Sequence, residues 1–242
     1  MKFDVLTLFP EMFDIMGYSI IGKAQESGYI SINTTNMREF SRNKHKKVDD
    51  TPYGGGAGMV IRPDIICDAY NSVVTKKSKA IYLSPQGKTL TQEKVEELSK
   101  ETHIILICGH YEGIDQRAID IIKPEEISIG DYILTGGELP AMVLIDSISR
   151  YIQGVINTES IKEETFSTGL LEYPQYTRPE TYKNLKVPDI LLSGHHENIK
   201  KWRKEQSIKN TFVKRPELLK NRDFSKEEID ILEKIKRNEV PN

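Results

Sequence analysis

Cysteine is nearly absent: Cys67 and Cys108 are the only two in 242 residues, far apart and in no CxxC pair. Such spacing excludes a disulfide framework and a thiolate zinc site, and it fits a reducing compartment. Long apolar runs are missing too, since no stretch reaches the roughly 18 residues that a membrane-spanning helix needs. At the start of the chain, MKFDVLTLFPEMF has Asp4 and Pro10 inside its apolar run, which breaks the core of a secretory leader. A cytoplasmic protein is therefore expected. Internal repeats and low-complexity tracts are lacking. So is a strong charge of one sign, for the net charge is −2 with 29% charged residues. The distribution says more than the total. From Leu170 onward 16 Lys+Arg stand against 12 Asp+Glu, a net of +4, which leaves −6 for the rest. A basic end on an acidic body permits a polyanionic partner without requiring one.

What is present points to an α/β protein with one large domain and room for a smaller one, at 38% hydrophobic content. Phe3 to Leu8 reads as a buried strand, Glu11 to Glu26 as a helix weakened by Gly17 and Gly22, and Tyr29 to Thr34 as a second strand. A basic segment, Arg38 to Lys47, leads into VDDTPYGGGAGM, where Gly54, Gly55, Gly56 and Gly58 cluster. The cluster lacks the Lys-Ser/Thr of a phosphate loop and the spacing of a dinucleotide loop, and Asp49 and Asp50 before it repel phosphate. Two readings stay open: a flexible loop that lays backbone against a substrate, or a plain surface loop. Pro63 to Tyr70 predicts the first turns of another helix.

Ala80 to Leu83 reads as a short strand closed by the turn Ser84-Pro85-Gln86-Gly87, and Thr91 opens a helix that runs to about Lys100. Ile104 to Cys108 is an unbroken apolar strand of the kind buried on both faces of a parallel sheet. The run Glu125 to Pro140, EEISIGDYILTGGELP, sets Gly130, Gly136 and Gly137 among alternating apolar residues. It ends at Pro140, a good first residue for a helix from Ala141 to Ile152. Three strand-then-turn units thus end at Ser84, Gly109 and Gly130. Ligands in such sheets bind at the carboxyl ends of the strands, so the three turns are expected to form one pocket. Ordinary turns in an α/β core are the alternative.

Asn157 to Thr168 is polar and weakly periodic, as a linker that stays mobile until something binds. Beyond it, prolines at 174, 179 and 188 predict an irregular, extended course. Glu197 to Thr211 then predicts a helix carrying Lys200, Lys201, Arg203, Lys204 and Lys209 around Trp202. An amphipathic helix from Ser225 carries Ile229, Leu232 and Ile235. The expected organisation is a domain over 1–156, a linker over 157–169 and a mostly helical domain over 170–242.

The strings IYLSPQGK, ICGHYEGID, EISIGDYILTGGELPA, TGLLEYPQYTRP and VPDILLSGHH resemble the bacterial tRNA (guanine-N1)-methyltransferases. The likeness runs nearly end to end, from LTLFPEMF through VDDTPYGGGAGM to KRPEL. The resemblance implies a SPOUT fold, with a parallel sheet and a deep trefoil knot in the first domain. It also implies a homodimer with active sites between subunits, S-adenosylmethionine as methyl donor, and transfer to N1 of the guanosine immediately 3′ of the tRNA anticodon (position 37). Magnesium is a possible further requirement, its site unknown; Glu112 is a guess at its neighbour. No membrane partner is implied.

By resemblance, the donor is held by Leu83, Ser84, Pro85, Gly109, Tyr111, Glu112 and Gly113, then by Ser128, Ile129, Gly130, Asp131, Tyr132, Ile133, Leu134, Gly136 and Gly137. Glu112 and Asp131 either favour the donor's positive charge or cap turns. Asp50 and Gly55 of the glycine loop, Glu172, Lys201 and Arg203 are expected to contact the RNA, and His45, Lys46 and Lys47 to reach it from the other subunit. Lys214 and Arg215 suit backbone phosphates. Tyr173 and Tyr176 either stack on bases or pack internally. His195 and His196 have no ligand-spaced partner and read as structural.

Guanine N1 keeps its proton at neutral pH, so the reaction needs a general base and a cation where charge grows on O6. Arg150 fits the cation; its alternative is an ion pair with Asp146. For the base, the family has an aspartate and a serine before a linker phenylalanine, whereas this chain has Glu164 and Thr165 before Phe166. Its linker is one residue shorter than in familiar members. Glu163 is a rival base, Glu172 a further candidate, and a solvated acidic linker remains open. A ribose 2′-O-methyltransferase and a non-catalytic RNA-binding protein are the competing functions.

Overall fold

The computed structural model describes residues 1–156, 169–220 and 222–239. It divides into two compact units, Met1–Thr158 and Glu159–Asn242, and the division falls in a stretch outside the described residues.

The first unit is built on five parallel strands in the order β2-β1-β6-β5-β7. These are β1 (Lys2–Thr7), β2 (Ser31–Asn36), β5 (Ser78–Thr89), β6 (His103–Cys108) and β7 (Glu125–Ser128). A short antiparallel pair, β3 (Asp49–Asp50) with β4 (Val60–Ile61), brackets the glycine loop. Side chains of a strand alternate between faces, and here both faces are apolar. Phe3, Val5, Ile104, Leu106 and Cys108 enter one core with α1 (Ser19–Glu26), α3 (Gln92–Leu98) and α5 (Glu138–Ser149). Leu6, Ile105 and Ile107 enter the other with α2 (Pro63–Val73) and α4 (Gln116–Ile122). That is why all six residues of β6 are buried. At the opposite end of the sheet from the turns, buried Asp4 is bonded to His103 Nε2 at 2.7 Å, to Asn33 and to Lys2.

Several expectations are refined. The predicted helix over Glu11 to Glu26 is two pieces, a 3-10 segment Pro10–Gly17 and then α1. Tyr18 is extended between them and Ser19 takes φ 58°, which no continuous helix tolerates. Strand β5 does not stop at Leu83. Leu83 and Lys88 both face Ile127, so Ser84 to Gly87 loop out of the ladder and pairing resumes beyond them. Helix α5 begins at Glu138, making Pro140 its third residue rather than its first. Thr91 does cap α3, accepting a hydrogen bond from the Lys94 amide.

The second unit packs around Leu170, Ile208, Ile231 and Ile235. Its helices are α6 (Asp189–Leu192), α7 (His196–Lys214) and α8 (Lys226–Glu239). Ile229, expected on the inner face of α8, is 45% exposed, and Ile231 is buried instead. A hairpin joins β8 (Thr181–Tyr182) to β9 (Leu185–Lys186) in the stretch read as irregular. Lys183 and Asn184 both take positive φ there, as a two-residue hairpin turn requires.

Helix α8 opens on a reciprocal cap: the Ser225 amide donates to Glu228 Oε2 at 2.8 Å and the Glu228 amide to Ser225 Oγ at 3.3 Å. Arg222 Nη2 donates to Glu228 Oε1 at 2.9 Å. Burial alone raises the Glu228 pKa, but the Ser225 amide and the Arg222 guanidinium outweigh it and bring the group from 4.5 to about 2. A depressed folded-state pKa gives stability that is full above the unfolded value and lost as pH falls through the folded one. The unfolding midpoint followed by Trp202, the sole tryptophan, is expected to hold above pH 4.5 and to fall between 4.5 and about 2. Glu228→Gln removes that part of the pH dependence and costs up to about 3 kcal/mol.

Candidate functional site

The bulge within β5 and the turns at the carboxyl ends of β6 and β7 lie side by side and enclose a cavity of about 280 Å³. The loop from β5 gives Leu83, Ser84 and Pro85. The turn after β6 gives Gly109, Tyr111, Glu112 and Gly113. The passage after β7 gives Ser128, Ile129, Gly130, Tyr132, Ile133, Leu134, Gly136 and Gly137. Asp131, singled out with them in the sequence, is not among the lining residues. The wall also includes Tyr82, Gln86, His110, Ile127, Thr135 and Pro140. His110 stands inside the string GHYEG, so its neighbours already marked it, whereas Tyr82 reads as core from its strand and is in fact only 7% exposed.

Close approach of backbone shapes this wall. The Gly137 amide donates to the Gly109 carbonyl at 2.8 Å. A Cβ on Gly137 would lie 2.8 Å from Cys108 Cα, so no other residue lets α5 start against the end of β6. Tyr111 holds φ 59°, the left-handed region that a tyrosine seldom adopts, and the residue is 44% exposed. Under the wall the Cys108 thiol is pushed well above its ordinary range by burial, with the Glu138 charge adding to it. Burial raises the Tyr82 phenol as well. Neither is a nucleophile at neutral pH.

The glycine loop is stitched to this site. The Glu112 amide donates to the Met59 carbonyl and the Ile61 amide to the Gly113 carbonyl, each at 3.0 Å. Asp50, on β3, accepts from the Thr51 amide at 2.9 Å and from Lys47 Nζ at 3.2 Å, and these two bonds hold its pKa below the usual carboxylate range. Its charge is thus partly answered by Lys47. Gly55 lies at the tip, its amide directed to the Pro52 carbonyl.

Arg150 forms the C-terminal cap of α5, its amide donating to the Asp146 carbonyl at 3.3 Å. Glu163, Glu164, Thr165 and Phe166 lie outside the described residues, as does the linker they belong to. Within the second unit, the Glu172 carbonyl accepts from Asn210 Nδ2 at 2.8 Å. Arg203 sits 4.8 Å above the Tyr173 ring, and Tyr176 packs 6.4 Å from Trp202. Lys201 is exposed on α7. Arg215 pairs with Glu217, so it is not a bare cation beside Lys214. His195 and His196 are exposed at the start of α7. Among the described residues no three His, Cys, Asp or Glu side chains gather as a metal site, and no helix is long and apolar enough to cross a membrane.

The sequence model of the family described as tRNA (Guanine-1)-methyltransferase TrmD matches residues 1–221. The tRNA (guanine-N(1)-)-methyltransferase of Ruminiclostridium cellulolyticum is 60% identical over 223 residues, covering 90% of this chain and 96% of that protein. Its namesake in Halalkalibacterium halodurans is 53% identical over 244 residues and 99% of each chain. That of Macrococcus caseolyticus is 51% identical over 239 residues, 98% of this chain and all of that one. A match over nearly the full length, at identities above one half, makes this chain a member of the tRNA (guanine-N1)-methyltransferase family.

Proposed function

We propose that this protein transfers a methyl group from S-adenosylmethionine to N1 of the guanosine immediately 3′ of the tRNA anticodon, position 37. The single observation that carries the reading is the cavity where the three family-matching turns meet. Its fit to the donor rests on the bare backbone at Gly109, Gly136 and Gly137, where added Cβ atoms would strike neighbouring groups. Backbone amides and carbonyls there can read an adenine edge, while Ile129, Ile133 and Leu134 enclose the ring. When bound, the donor supplies an electrophilic methyl on a sulfonium.

The rest is done by side chains. Alignment of two reactants is the largest contribution a protein makes to such a displacement. Glu164 accepts the N1 proton as the nitrogen's electron pair forms the new N–C bond, and the old S–C bond breaks with its pair left on sulfur. Arg150 donates two hydrogen bonds to O6, where negative charge collects. Asp50 and Gly55 in the first unit, and Glu172, Lys201 and Arg203 in the second, bind the RNA. Among the described residues no cluster of His, Cys, Asp or Glu side chains is placed to hold magnesium.

Three further features of the family are part of the proposal. A trefoil knot accords with the path from β7 past β5 to Gly109, since β5 lies between β7 and β6. A homodimer accords with the exposed Ile15, Tyr18, Leu139 and Val143, which a second copy would cover. A cytoplasmic location follows from a tRNA substrate. The test is an assay with labelled donor, a tRNA transcript, and the same transcript carrying adenosine at the target position. Methylation of the first and not the second is expected. Methylation of the adenosine transcript would overturn the base assignment, and a protein that fails to bind the donor would be a non-catalytic RNA binder.

A further inference from the structure

One buried charge beside the cavity has no part in the reaction above. Glu138 opens α5 and is 1% exposed. A carboxylate so deep is rare unless bonded, because loss of water penalises the charged form. Here Oε1 accepts from Thr7 Oγ1 at 2.8 Å, across 131 residues of chain. Thr7 ends β1, and its Oγ1 accepts in turn from the Phe9 amide at 2.9 Å. The first turn of α5 adds the positive end of a helix dipole, which favours a carboxylate at that place.

The second oxygen lies behind the cavity wall. A methyl group built on Gly136 would be 2.4 Å from Glu138 Oε2 and 2.8 Å from His110 Nε2. Carboxylate and imidazole therefore close on the same glycine, and His110 and Gly136 both line the cavity. The two residues also pair backbone to backbone as an antiparallel bridge. Phe9, held by the hydrogen bond that its amide donates to Thr7 Oγ1, sets its ring 5.0 Å from the His110 ring. One hydroxyl thus fixes a carboxylate on one side of the turn and an aromatic ring on the other.

We propose that Glu138, clamped by Thr7, is a positioning residue of the donor site: it holds the Gly136–Gly137 turn and the His110 ring in the shape the methyl donor requires. It acts through the turn and does not touch the reacting atoms. The inference rests on reading the cavity as the donor site.

The test uses the full chain with S-adenosylhomocysteine as calorimetric probe, together with steady-state kinetics on a tRNA transcript. Glu138→Gln keeps the size and an acceptor for Thr7 but removes the charge. Thr7→Val keeps the shape without the hydroxyl, and Thr7→Ser restores the hydroxyl. In Glu138→Gln and Thr7→Val, the donor KM and the Kd of the probe are expected to rise about tenfold, with kcat at saturating donor within about twofold. Thr7→Ser should return both constants to the parental values. A purely structural role would lower the folded fraction and leave the donor KM alone, so an unchanged KM and Kd in folded variants overturns the inference. Should Glu138→Gln fail to fold, the Thr7→Val and Thr7→Ser pair decides by itself. A parent protein that does not bind the probe sinks the donor reading, and this inference with it; a parent that binds while the variants match it sinks this inference only.

Discussion

A Glu164→Gln variant is expected to lose about 10²- to 10⁴-fold in kcat while its donor affinity stays within about twofold of the parent. The carboxamide keeps the size of the side chain and its capacity to hydrogen-bond, but it cannot take a proton from guanine N1. Without that transfer the attacking nitrogen would carry its proton into the new bond. The donor wall is built from residues no further along the chain than Pro140, so its affinity is expected to be untouched by a change in the linker. Single-turnover methylation with labelled donor reads the first number and calorimetry the second. Parental turnover in this variant would place the base elsewhere, and Glu163→Gln and Glu172→Gln would then show which of the two carries it. The position matters because the resemblance leads to the expectation of an aspartate here, and this chain carries Glu164.

Gly137→Ala is expected to damage the donor site from within. Its Cβ would stand 2.8 Å from Cys108 Cα and 3.0 Å from the Gly109 nitrogen, both of them backbone. Backbone at the end of an interior strand cannot step aside, so α5 must move back, at a cost on the order of 1–3 kcal/mol. That movement also breaks the bond from the Gly137 amide to the Gly109 carbonyl. Donor affinity should fall by at least about tenfold, as expected when a rigid wall shifts and a backbone hydrogen bond is lost. Gly17→Ala is the control, since nothing lies within 4 Å of the Cβ it would add. Thermal melts and donor calorimetry on both variants give the comparison. Equal donor affinity in Gly137→Ala and the parent would mean that the cavity wall is not where the donor sits.

The sheet was legible because its strands obey period-two and all-apolar patterns. β6 is the clearest case: six residues buried on both faces can only be an interior strand. The three turns were legible because glycine accumulates where backbone must approach backbone. What escaped reading lies where local rules point the wrong way. Ser84-Pro85-Gln86-Gly87 has the composition of a strand-ending turn, and only the partner Ile127 reveals that the strand continues beyond it. Lys183-Asn184 lacks the glycine that advertises a tight hairpin, yet asparagine tolerates positive φ well enough to make one. Ile229 and Ile231 are both apolar, and which of them faces inward depends on how α8 is rotated against α7. Glu138 gave no sign of burial in the sequence, since a glutamate near a helix start is normally a solvated favourable charge. Its partner Thr7 is 131 residues distant, and no local pattern links the two.

The loop in β5 has one further consequence. Because Leu83 and Lys88 share Ile127 as their partner, four residues leave the ladder and the register of β5 against β7 shifts across them. The ladder is paired on both sides of the departure, through Ile81, Tyr82 and Leu83 before it and through Lys88 and Thr89 after it. Pairing on either side of the bulge fixes both its ends, so Ser84, Pro85 and Gln86 are carried into the cavity wall by a strand that is itself held in the sheet.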